Sequence, residues 1–292
     1  MGDPLEGDNP LGPPMSESAA RDADPPVARP VVYARPVHEP AAVSVLSLPT
    51  VTRAQAWGGI TVALACVLWT TFGLALLMRP PTDAAPAFLP REMIGEKWIA
   101  AGVTILTAIY LAARLRLGAD ALGLRRDGLA RQAAWTTGGV LGVFAAHLSL
   151  AMLIGAILVH SEGGSAEIER RMRFMGAIHV VSPVEALALL SAVAIHEELL
   201  FRGVLLPFAR RALGSWWAAV GATSLLFAAL HFPQGALAVG QIFVISLVLS
   251  CVFVGSRSLP AVMIAHFLFD FGVFMAARVA PQLSDLIEHD AP

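Results

Sequence analysis

Cysteine is nearly missing from this chain of 292 residues, which has only Cys66 and Cys251. Both fall in apolar runs, where a cysteine usually serves as a small buried hydrophobe, so the sequence supports neither a disulfide framework nor a CxxC redox or zinc pattern. Charge is scarce as well: 14% of residues are charged, and the net charge is -2. The basic residues are scattered through loops rather than gathered on one stripe, so nucleic acid is not an expected partner. Lys97 is the sole lysine, and a GC-rich coding genome accounts for arginine in its place. The alternating ten-residue strands of a membrane barrel are absent. So are a G-x-S-x-G nucleophile motif, a pair of membrane aspartates with a G-x-G-D signature, and the internal repeat expected of many transporters.

What is abundant is apolar sequence. Hydrophobic residues make up 56% of the chain and the mean hydropathy is +0.67, beyond the balance of a soluble domain. Residues 1–55 are the exception. They are rich in Pro, Ala, Asp, Glu and Arg, with too few large apolar groups to offset the entropy of ordering, and are expected to form a disordered Pro-rich tail. They also lack the charged start and short apolar core of a secretory signal, so no cleavage is expected there. Residues 56–280 are expected to form a membrane-embedded helical domain, and 281–292 a short C-terminal tail.

Crossing a hydrocarbon core takes roughly 20 residues at a rise of about 1.5 Å each. Runs of that order occur at 57–78, 97–115, 134–160, 183–208, 215–232, 236–255 and 259–279. The expected fold is therefore all-α, a polytopic transmembrane helical bundle of seven helices, or eight if the long 134–160 region or the 161–182 connection adds a re-entrant or interfacial piece. Arg114, Arg116, Arg125, Arg126 and Arg131 follow the second run and argue for a cytoplasmic loop there. Alternation then puts the N-terminus, Arg210, Arg211 and Arg257 on the cytoplasmic side of what is expected to be a bacterial inner membrane. Arg170, Arg171 and Arg173 would lie on the far side, accompanied by Glu162, Glu167 and Glu169.

The fourth run contains "AIHEELLFRG", with Glu197, Glu198 and Arg202 in apolar sequence that holds one other acid, Glu185, near its start. A charge at the bilayer centre costs about 2.5–3.5 kcal/mol even on the lenient insertion scale, so such groups face a protein interior or a wet cavity. Glu198 and Arg202 are spaced i, i+4 with the acid first, the favourable order for a pair on one helix face. Such a pair can be a charge lock that holds helices together, and that reading weighs at least as much as direct chemistry. Glu197 points about 100° away and is expected to be free of the pairing. A partly buried carboxylate of that kind is a candidate base toward water. Two later runs offer companions: "FAALH" ends in His231, and "HFLFD" sets His266 and Asp270 at i, i+4. A lone histidine in an apolar helix more often packs than reacts, but polar groups on three successive membrane helices should converge, because the alternative is lipid. The apparent depths of Glu197, His231 and His266 differ, so convergence requires tilted helices or shifted boundaries.

The ordered set E-E-x-x-x-R, F-x-x-x-H and H-x-x-x-D over residues 183–280 resembles the CAAX-prenyl-protease and bacteriocin-processing (CPBP, or ABI) family of intramembrane proteases. The resemblance implies hydrolysis of a peptide bond in a membrane-associated peptide or protein, with the lipid bilayer as surroundings. By it, Glu197 would activate water, His231 would hold that water or shuttle a proton, and His266 with Asp270 would stabilise the oxyanion or orient the site. Glu198 and Arg202 would support the geometry. The family's third motif often ends in Asn. Asp270 changes that position from donor and acceptor to acceptor alone when ionised, which suits it to orienting His266. Members of the family have been described both as metal-dependent and as metal-independent glutamate proteases, and the cofactor stays open. Glu197, His231 and His266 are the candidate ligands for a divalent metal such as zinc. The zincin pattern H-E-x-x-H fails at "HEELL", where Leu200 replaces the second histidine, so His196 is expected as a neighbour only. The competing function is a non-catalytic membrane scaffold or an immunity-type factor that binds a partner through the same polar groups.

Overall fold

A computed structural model describes residues 48–77, 90–125, 128–161 and 182–289, together with Leu46, Gly163, Gly164 and Ala166. The tail expected over 1–55 lies almost wholly outside these residues, as do most of the 161–182 connection and Arg170, Arg171 and Arg173. Among the described residues every regular element is helical. Helix α1 (Arg53–Leu68) runs on through a π-helical turn, Trp69–Gly73, and is followed by α2 (Pro90–Leu115) and α3 (Leu129–Val159). Helix α4 (Pro183–Glu198) continues as a π-helical stretch, Leu199–Leu205, into α5 (Leu206–Leu213). Then come α6 (Trp216–Ala229), α7 (Ala236–Ser256) and α8 (Leu259–His289), the last reaching into the stretch expected as the C-terminal tail.

Among the described residues all seven apolar runs are largely helical, and five helices are long and apolar enough to cross a membrane: Arg53–Gly73, Glu92–Leu115, Leu129–Val159, Ala236–Ser256 and Leu259–Val279. The run at 183–208, interrupted by its charges, is not among them. Trp216–Ala229 is shorter.

Local chemistry fixes where the helices begin and meet. Thr52 caps α1 and Ser182 caps α4, each in a reciprocal box with the third residue of its helix, Gln55 and Glu185. Glu185 is thus committed to a helix start: its carboxylate accepts from the Ser182 N–H at 3.0 Å and from the Ser182 hydroxyl at 2.8 Å. Pro183 follows at the first helical position, where its missing N–H costs nothing. Helix α4 packs against α2 and α8, α3 against α7 and α8, and α7 against α6. At the crossing of α1 with α5, a Cβ on Gly59 would collide with the Phe208 ring. The missing side chain is what allows that approach.

The buried interior centres on α4, the π stretch and α5, with Leu200, Val204, Leu206 and Phe208 almost fully enclosed against Leu249, Phe253, Leu259 and Val262. Large apolar side chains such as Leu106, Leu141, Met152 and Trp217 point outward instead. In a bilayer they would face acyl chains, and their exposure needs no partner protein.

Candidate functional site

The two neighbouring glutamates end α4, one residue before the helix widens. They meet different surroundings. Glu198 is fully buried, and its Oε1 accepts from Arg202 Nη1 at 2.8 Å and from His266 Nδ1 at 2.6 Å. Arg202, also buried, donates through Nη2 to the Ser246 hydroxyl at 2.8 Å and the Ser246 carbonyl at 3.2 Å. Its guanidinium lies over the Phe227 ring, 4.9 Å from the centroid. One ion cluster therefore ties α4 and the π stretch to α6, α7 and α8. Short bonds and the further contacts with His266 and Ser246 offset part of the cost of removing both charges from water, while Glu198 Oε2 is buried with no protein hydrogen-bond partner.

Glu197 keeps part of its side chain exposed, about 20%. It lines a cavity of about 820 Å³ together with His231, His266 and Asp270. His266 sits among three carboxylates. Besides the contact of Nδ1 with Glu198, its Nε2 is 3.3 Å from Asp270 Oδ2 and 4.0 Å from Glu197 Oε2. His231 lies just past the end of α6 and holds the Phe227 carbonyl with Nδ1 at 2.8 Å. A carbonyl oxygen only accepts, so Nδ1 carries the proton there and the other nitrogen of a neutral ring is an acceptor. Phe227 stands between the two histidines, its ring centroid 4.8 Å from that of His231 and 6.5 Å from that of His266.

The mismatch in depth anticipated from the sequence is resolved by short elements. Helix α6 has only 14 residues, and His231 follows it in a turn that leads into Phe232–Gln234. The histidine is thereby brought to the cavity that Glu197 and His266 reach from α4 and α8. His196 lines the cavity too, but its Nδ1 is held by the Thr104 hydroxyl of α2 at 2.7 Å. As for a metal, among the described residues no three His, Cys, Asp or Glu are grouped so as to hold an ion. The candidate ligands Glu197, His231 and His266 are not drawn together as one such group, although all three line the cavity.

Three cavity residues carry no signal in the local sequence: His147 on α3, Gln241 on α7, and Lys97 on α2. His147 and Gln241 are 94 positions apart yet hydrogen-bonded, with Gln241 Nε2 at 3.0 Å from His147 Nδ1.

Membrane-length helices around a largely apolar cavity that holds a few polar side chains, with a buried ion cluster behind one wall, define the general class as a polytopic helical membrane protein with a polar site inside its bundle. Residues 179–272 match the family model Rce1-like, described as type II CAAX prenyl endopeptidase Rce1-like. That segment, which holds Glu197, Glu198, Arg202, His231, His266 and Asp270, is consistent with the CPBP family of intramembrane proteases. Searches of curated proteins and of solved structures return no match to the chain.

Proposed function

We propose that the chain is an intramembrane endopeptidase that hydrolyses a peptide bond of a membrane-associated peptide or protein with a water activated by Glu197. The observation that carries this reading is the division of labour between adjacent carboxylates. Glu198 is bound into the ion cluster, whereas Glu197 lines the cavity beside two histidines and an aspartate. In the reaction, the water oxygen bonds to the carbonyl carbon while Glu197 takes one of its protons. The C–N bond then breaks, and that proton passes to the departing amine. His231, whose second ring nitrogen accepts, holds a hydrogen of the attacking water. Asp270 and Glu198 grip His266 from either side, and Arg202 holds Glu198 in place. Loop charges support a cytoplasmic N-terminus in a bacterial inner membrane.

The test is cleavage of a panel of membrane-anchored reporter peptides by the purified full chain, wild type beside Glu197→Gln, with and without a zinc chelator. Cleavage by wild type that is lost in the variant and survives chelation is the expected result. Loss on chelation as well would replace the glutamate mechanism with a metal-dependent one. Undiminished cleavage by Glu197→Gln would remove Glu197 from the chemistry, and no cleavage by wild type would favour the scaffold or immunity-type reading.

A further inference from the structure

Two arginines far apart in the chain clasp the start of α1 to the end of α5. Arg53 donates through Nε and Nη2 to the Ala212 carbonyl at 3.1 and 3.0 Å, and Arg211 donates through Nε to the Val51 carbonyl. Each guanidinium is fixed against backbone next to the other arginine, so the exchange gathers two positive charges at one corner. Arg53 also meets the negative end of α5, whose closing carbonyls lack partners within the helix. Nη1 of Arg53 and both amino groups of Arg211 bond nothing among the described residues, and neither arginine has a carboxylate partner there. Arg53 is exposed and Arg211 partly so. Arg210, in the same turn, is engaged elsewhere: its guanidinium lies over the Trp216 ring, 5.6 Å from the centroid.

The corner lies at the edge of the apolar span. The membrane-length stretch Arg53–Gly73 begins at Arg53 itself, and α6 opens with Trp216 and Trp217, amphipathic rings of the kind that settle between headgroups and acyl chains. At that level the acceptor at hand is a lipid phosphate. Two guanidinium groups already held in place lose little freedom on gripping one, and their planar donors match its oxygens. A lipid with net negative charge also offsets the repulsion between the two arginines, which a zwitterionic headgroup does less well because it brings a cation of its own.

We propose that Arg53 and Arg211 form a binding site for the phosphate of an anionic phospholipid, which ties the start of α1 to the end of the central helices α4 and α5. The site is separate from the cavity and does not rest on the endopeptidase reading.

The purified full chain in a neutral detergent is titrated with phosphatidylglycerol or phosphatidylcholine, with bound lipid counted by native mass spectrometry and the melting temperature followed in parallel. Wild type should hold phosphatidylglycerol about 10–30-fold more tightly, the weight of two arginines against anionic lipid, and should melt higher with it. That preference should shrink as salt rises, a readout that needs no variant. Arg53→Gln combined with Arg211→Gln should abolish the preference, whereas Arg53→Lys with Arg211→Lys should keep part of it, because charge remains without the fork. Arg114→Gln with Arg116→Gln, the same loss of charge around the end of α2, should keep it whole. Equal binding of the two lipids by wild type would overturn the proposal, as would a preference unchanged in the paired Gln variant at 53 and 211. An equal loss in the α2 pair would overturn it in favour of general surface charge. The same rise in melting temperature with inorganic phosphate alone would overturn it in favour of a free anion.

Discussion

Helix α3 and the rod formed by α4, the π stretch and α5 are built on opposite plans. Only 6% of the most apolar window of α3 is buried, and Leu141, Met152 and Leu153 point away from the protein. Every residue of Leu199–Leu205 is buried, Arg202 included. The more apolar helix is therefore the outer one, and the charged helix is the centre. In water the order would be reversed. In a bilayer, apolar side chains gain little by leaving lipid for protein, whereas a charge has much to lose by staying in lipid. In this pair of helices charge marks the interior and apolar sequence the rim.

The largest effect should come from separating the two glutamates at the end of the central rod. Glu197→Gln should reduce reporter cleavage by about 10²–10⁴-fold, the usual contribution of a general base, with an unchanged melting temperature. Glu198→Gln should instead lower the melting temperature in detergent. Next, Arg202→Met leaves Glu198 buried without its partner and should destabilise the fold by about 3–5 kcal/mol, read as the shift of a thermal or denaturant transition. Arg202→Lys should lose less, because it keeps the charge but cannot bridge Glu198 and Ser246 with the same fork. On the rim, Leu141→Asp should cost about 2.5–3.5 kcal/mol in a membrane-insertion assay, while Leu141→Ile should be close to neutral. A large loss from Leu141→Ile would mean that this face packs on something other than lipid, and the contrast between rim and centre would fail. The smallest effect is expected at the start of the rod, where Ser182→Ala removes a cap worth about 1 kcal/mol, measurable as a modest drop in unfolding midpoint with cleavage retained.

The rim and the local part of the centre were legible in the sequence. Lipid-facing helices announce themselves by apolar length, and the bond between Glu198 and Arg202 follows from i, i+4 spacing. The rest was hidden because it depends on partners far apart in the chain. His266 reaches Glu198 across 68 positions, and Gln241 reaches His147 across 94. A solitary histidine in "FAAHLSL" has nothing in its own helix to distinguish a packing residue from a functional one. The π stretch was also invisible, since "LLFRGVL" contains only ordinary helix formers apart from Gly203. Seven runs of membrane length could be read off the chain, but the charges in the fourth and the brevity of the fifth leave five among the described residues that qualify by length and apolarity.

The widened turn makes residue count itself part of the design. The Leu206 N–H reaches back five residues to the Phe201 carbonyl, where an ordinary helix would reach four. The wide turn thus fits one residue more into nearly the rotation that a regular turn makes. Deleting one residue between Leu199 and Leu205 would let the backbone close into regular α-helix with Glu197 still roughly in phase with the histidines it shares a cavity with. The same deletion within a regular helix such as α8 would turn one end by about 100° relative to the other, so the wide turn is the place where this rod can lose a residue at least cost.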